Sequence, residues 1–137
     1  MSDDIHTGGC LCGALRYEAR GTPVYAGYCC CDDCRKASGS GFIPFMGFPA
    51  ERIAFTGDTK QSIARSARGG DATRNHCKHC HSLVFGGELG RSETYTLYAG
   101  SLDDPSVFEP KMAVFHGCRP DWVRLPEGLK TFDGLPG

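Results

Sequence analysis

Nine cysteines in 137 residues constrain this chain more than any other feature, because they fall into clusters. The spacing is Cys10-x-Cys12, then Cys29-Cys30-Cys31-x-x-Cys34, then Cys77-x-x-Cys80, with Cys118 alone. In an oxidising compartment this density would read as a disulfide scaffold. In a reducing one, clustered thiols are metal ligands or catalytic groups. The stretch MSDDIHTGG is acidic where a signal peptide is basic and then apolar, and no apolar run approaches the ~18 residues that span a bilayer. The expectation is a cytoplasmic chain with reduced thiols and no membrane association. The odd cysteine total points the same way.

Zinc in a structural site takes four tetrahedral ligands, whereas a catalytic site commonly keeps three protein ligands and one open position. Cys10, Cys12, Cys77 and Cys80 make up a set of four. Distant strands must come together to form it, so it would act as a cross-link whose binding energy is also folding energy. In the central cluster, extended residues i and i+2 share a face, so Cys29 and Cys31 point one way and Cys30 the other. Cys34, just inside the following turn, can swing back toward them. Three thiolates then converge without a fourth, and Cys30 and Cys118 are left over. A thioredoxin-like reading of Cys31 and Cys34 requires a long helix in a βαβ unit, and the neighbouring sequence reads as strand and turn. His79 and His81 are read as bystanders of the second pair, and Cys30 as a small buried hydrophobe.

At this length the chain is expected to be one domain, residues 1–137, with a core of its own. Its 40% hydrophobic and 23% charged residues exclude global disorder, while 19 glycines and 8 prolines favour many short elements. Period-two or apolar stretches predict strands at 14–19, 24–28, 52–55, 61–66, 83–85, 94–99 and 112–115, in a mainly β, mainly antiparallel architecture. DDCRKASG predicts one short helical turn stopped by Gly39. FIPFMGF, residues 42–48, is interrupted by Pro44 and reads as an edge or irregular strand. The tail from residue 123 is expected to be coil docked by Trp122 and Phe132. A net charge of -1 gives no footprint for nucleic acid. Arg65, Arg68, Arg74 and Lys78 read as a solvated strand or loop face.

GGCLCGALRYEA, YCCCDDCRKASGSGF, HCKHCHSLVFGG, YAGSLDDP and Trp122 together resemble the glutathione-dependent formaldehyde-activating enzyme family. That family also takes in the centromere protein V-like proteins and shares the Mss4-like zinc fold. The resemblance runs from Gly8 to about Trp122, leaving a C-terminal coil at 123–137. It implies a β-rich fold with a structural zinc held by Cys10, Cys12, Cys77 and Cys80. It also implies a second, functional zinc held by Cys29, Cys31 and Cys34, hence two zinc ions per chain. The implied activity is that of a carbon–sulfur lyase, condensing formaldehyde with glutathione to S-hydroxymethylglutathione, so the expected partners are a glutathione-like thiol and an aldehyde. Three residues depart from the family pattern: Cys30 replaces a histidine, His81 a glycine, and Ala113 a histidine, with His116 close by.

Such a site would bind a substrate thiol as thiolate and position it against an aldehyde carbon. Arg35 and Lys36, next to Cys34, are candidates to hold a substrate carboxylate, Arg35 the stronger of the two. Ser38, Gly39, Ser40 and Gly41 shape either a loop beside the ion or a plain turn. The competing expectation is a non-enzymatic, zinc-stabilised binding module whose central site is closed by a tight fourth ligand.

Overall fold

The computed structural model describes residues 4–66 and 69–136. Two sheets carry the architecture. The smaller contains β1 (Ile5–Gly9), β2 (Arg16–Arg20) and β5 (Ile53–Thr56), antiparallel in the order β1-β2-β5. The larger has eight strands. From its inner elements outward these are β3 (Tyr25–Cys29), β4 (Ile43–Pro49), β9 (Thr94–Tyr98), β8 (Leu83–Gly86), β7 (Asp71–Cys77) and β6 (Thr59–Arg65), with β10 (Met112–Val114) and β11 (Lys130–Thr131) beside β3. Five of its pairings are antiparallel, whereas β10 runs parallel to both β3 and β11.

The mainly β fold is as expected, and one helix, α1 (Asp32–Ser38), follows β3. Its start is set by Cys31, whose sulfur accepts from the Cys34 N–H at 3.3 Å in the manner of an N-cap side chain. Its end is set by Gly39, which adopts φ 75° and returns its N–H to the Arg35 carbonyl. Ser38 donates to the Cys34 carbonyl at 2.8 Å, so the serine–glycine stretch is a helix cap.

The small sheet packs on the large one through aromatic rings. Phe55 of β5 stacks on Phe85 of β8 at 4.1 Å between ring centres, and Tyr17 of β2 meets Phe55 edge-on. Around them Leu15, Met46, Phe48, Val84 and Leu97 are buried, together with Cys10 and Cys77. A second buried cluster holds Cys29, Cys31 and Cys34 among Ile43, Phe45 and Val114. Each cysteine group is thus part of a core.

Several expectations need correction. β4 is an internal strand between β3 and β9. Pro44 is tolerated because it pairs with Tyr28 on β3 but lies beyond the first β4–β9 pair, Phe45 with Tyr98. β1 was missed because its Gly8-Gly9 reads as a turn; a Cβ on Gly8 would collide with the Tyr17 hydroxyl and the Ser101 carbonyl. The tail contains β11, whose flanks are fixed by the Phe132 N–H on the Ala113 carbonyl and the His116 N–H on the Phe132 carbonyl. Phe132 packs against the second cluster as expected, but Trp122 is 71% exposed and Val123 is buried in its place. Of the basic stretch, Arg68 lies outside the described residues and Arg74 is buried. Among the described residues, no helix is long and apolar enough to cross a membrane.

Candidate metal centres

The first cluster is built from two knuckles. Cys10 and Cys12 lie in the connection between β1 and β2, and Cys77 and Cys80 bracket the turn between β7 and β8. All four sulfurs lie within 4.8 Å of one another. Cys10 and Cys12 Sγ are 3.6 Å apart, and Cys12 and Cys77 Sγ are 3.7 Å apart. Tetrahedral ligands ~2.3 Å from a zinc ion sit ~3.8 Å apart, so the spacing fits that ion. Backbone N–H groups point at the sulfurs: Leu15 at Cys10, and His79 and Cys80 at Cys77. Ser82 Oγ lies 3.1 Å from Cys80 Sγ and accepts from the Leu11 N–H, tying one knuckle to the other.

The thiols carry matching electrostatics. The Ser82 hydroxyl and N–H hold the Cys80 thiol down at about 5. Cys12 is pushed up to about 11: the Ala14 N–H lowers it, but its fellow thiols and burial outweigh that contact. Four adjacent sulfurs cannot all ionise unaided, and a divalent cation removes that conflict.

His79 and His81 are exposed and outside the four-sulfur group. His81 nevertheless occupies a glycine conformation, with φ 64°. Glycine adopts this conformation without the ~1–2 kcal/mol that a left-handed non-glycine residue costs. His81→Gly is therefore expected to stabilise the protein by about 1 kcal/mol, after the extra backbone entropy of glycine is offset. Urea denaturation would read this as a higher midpoint at unchanged slope, and a lower midpoint would contradict it.

The central cluster has a different setting. Cys29 ends β3, Cys31 caps α1 and Cys34 lies in its first turn, and their sulfurs lie within 4.8 Å of one another. All three are buried, yet all three line a cavity of about 610 Å³. Contact with Cys31 raises the Cys29 thiol, and contact with Cys29 and Cys31 raises Cys34 further, as expected for adjoining anions with no cation between them. An all-sulfur donor set suits a soft, tetrahedral ion such as zinc. No fourth Cys, His, Asp or Glu side chain among the described residues joins this group. Cys30 is fully buried and outside it, its thiol pushed up to about 11 by burial.

The opposite walls of the cavity are largely apolar and aromatic: Tyr25, Phe45, Tyr98, Met112 and Val114. Tyr25 Oη and Thr96 Oγ1 form a 2.6 Å hydrogen bond on this wall. Leu135 and Pro136 close one side, so the chain beyond β11 is part of the pocket. Ala113, between Met112 and Val114, is fully buried and is not among the residues lining the cavity.

Sequence reasoning singled out Arg35 as the candidate substrate contact; of the two arginines, the structure places Arg74 on the cavity wall. Arg35 does not line the cavity; it pairs with Asp32 on its own helix at 3.2 Å. Lys36 is exposed. Arg74, on β7, does line the cavity, is only 9% exposed, and brings a guanidinium nitrogen to 4.0 Å from Cys34 Sγ. Burial lowers its pKa, but the surrounding Tyr98, Cys34 and Cys31 outweigh this and raise it. The one available signal was parity: in a strand ending at Cys77, Arg74 falls on the opposite face from the knuckle.

Fold and clusters together define a β protein with one thiol group pinning two hairpins and another opening onto a cavity. Residues 5–117 match the model of the glutathione-dependent formaldehyde-activating enzyme family, and the chain belongs to that family. A crystal structure of a Rhodobacter sphaeroides protein is similar over 76% of this chain and 96% of its own, with TM-score 0.54 and 19% identity, a likeness of fold.

Proposed function

We propose that the central cluster is the reactive centre of a zinc-dependent carbon–sulfur lyase that forms or splits an adduct between a glutathione-like thiol and an aldehyde. The observation that carries this reading is that Cys29, Cys31 and Cys34 are three convergent sulfurs on the wall of an accessible cavity, joined by no fourth Cys, His, Asp or Glu among the described residues. The pocket's volume lies in the usual range for small-molecule sites. Cys10, Cys12, Cys77 and Cys80 would hold a second, structural ion.

A zinc ion held by Cys29, Cys31 and Cys34 would supply an open position in which a thiol is deprotonated at neutral pH. The three cysteines fix that position at the junction of β3 and α1. Tyr25, Phe45, Tyr98 and Met112 hold the reactants together and exclude water, which favours the adduct over side reactions. In the forward direction the sulfur forms a bond to the aldehyde carbon, and the carbonyl π pair moves to oxygen. That oxygen takes up the proton released by the thiol. Tyr25 Oη and Thr96 Oγ1 are hydrogen-bonded hydroxyls on the wall that can pass this proton to the oxygen.

The test is the exchange rate between free formaldehyde, glutathione and their adduct, followed by NMR magnetisation transfer with protein carrying two zinc equivalents. Acceleration that disappears when the metal is stripped supports the reading. An unaltered rate, with cobalt-substituted protein whose charge-transfer bands ignore added glutathione, would instead indicate a binding module with a closed centre.

A further inference from the structure

A buried guanidinium needs an anion, because an unpaired charge is costly away from water. Arg74 has no carboxylate within ion-pair distance among the described residues; its polar contact is the sulfur of Cys34. Among the described residues, Asp71 is the other Asp, Glu, Lys or Arg side chain lining the same cavity, and it is exposed near the start of β7. Arg74 therefore meets the sulfur cluster at Cys34, within the cavity that all three cysteines line. Its strand also supplies Cys77 to the structural cluster, so the guanidinium is fixed by the same element that closes that cluster.

Resting on the reading of the central cluster as a three-thiolate metal site, we propose that Arg74 is its charge-compensating residue and makes the site select a thiolate as its fourth ligand. Three thiolates around a dication carry a net charge of -1, and adding a fourth thiolate brings this to -2. With Arg74 counted, the site is neutral before the substrate arrives and singly negative afterwards. A neutral ligand gains nothing comparable from the arginine. Arg74 thus discriminates by ligand charge at the sulfur itself, and its effect extends to thiols that have no carboxylate. A unit charge about 7 Å away at an effective dielectric of ~20 changes a binding constant by on the order of 10- to 50-fold.

The experiment uses full-length protein loaded with two equivalents of cobalt(II), as wild type, Arg74→Gln and Arg74→Lys. Binding of 2-mercaptoethanol, glutathione and imidazole is titrated through the visible and charge-transfer bands. For Arg74→Gln we expect both thiols to bind at least tenfold more weakly, imidazole to bind within threefold of wild type, and two cobalt ions to remain. Arg74→Lys should recover most of the thiol affinity, since it keeps the charge. Equal thiol affinity in wild type and Arg74→Gln overturns the proposal. A loss confined to glutathione also overturns it, since Arg74 would then be reading a carboxylate. So does an equal loss for imidazole, which would mark a structural role. If wild-type cobalt protein responds to neither thiol, the open-site reading fails first and the inference falls with it.

Discussion

Cys77→Ser is expected to abolish cooperative folding and lower the zinc content from two equivalents to at most one. Cys77 is fully buried at the end of β7, and its sulfur accepts two backbone N–H groups. It also stands 3.7 Å from Cys12 Sγ, 65 residues earlier in the chain. The knuckles tie the β1–β2 connection of the small sheet to the β7–β8 turn of the large one, so metal binding there is inseparable from the docking of the sheets. Structural zinc sites in peptides contribute ~10–16 kcal/mol, comparable with the ~5–15 kcal/mol of a whole domain's stability. Serine oxygen is a hard donor and a poor substitute in a soft all-sulfur set. Circular dichroism melts and metal analysis of the purified variant check this. A melt like that of wild type with two zinc equivalents would refute it.

Cys31→Ser should do the reverse, eliminating chemistry while leaving the fold. It removes one of three ligands at the proposed reactive centre. Losing a metal's activation of the thiol forfeits several kcal/mol of transition-state stabilisation, or on the order of 10³-fold in turnover. The architecture survives for two reasons. Cys29 and Cys34 are five positions apart in sequence, so a metal between them closes a short loop. The knuckle pairs close one of 65 residues, and the difference in loop-closure entropy favours them by about 2 kcal/mol as structural staples. Serine is also a good N-cap, so its hydroxyl can take over the contact Cys31 makes with the Cys34 N–H. One zinc per chain, an unchanged far-ultraviolet spectrum and loss of adduct exchange are the expected results. Retained exchange with one zinc would exclude the central cluster as the reactive centre.

The cysteine groups were legible in the sequence because their geometry is local within each pair or triplet. Strand parity separated Cys30 from Cys29 and Cys31, and a single turn returned Cys34 to the same side. Strands with apolar alternation, such as β2 and β9, were legible for the same reason. β7 was not, because its buried residues include Arg74 and Asn75, which carry no hydrophobic period. Their polarity serves the interior: Asn75 Nδ2 donates to the Gly87 carbonyl at 2.7 Å, and Arg74 reaches Cys34 across 40 residues. Arg35 attracted attention by adjacency in sequence, while the cation beside the Cys34 sulfur comes from a strand where only its parity relative to Cys77 marks it. β11 was equally hidden, being two residues long and paired in parallel with β10.

The strap that follows β10 gives the two centres different histories. The knuckle cluster has all its ligands once Cys80 has been synthesised, whereas the wall of the central cavity is completed only by Leu135 and Pro136. During translation Cys29, Cys31 and Cys34, already made by residue 34, therefore stand in an incomplete cavity until the strap is in place. The order of the residues thus sets what each centre waits for: the knuckle cluster waits for Cys80, and the cavity around Cys29, Cys31 and Cys34 waits for the last residues of the strap.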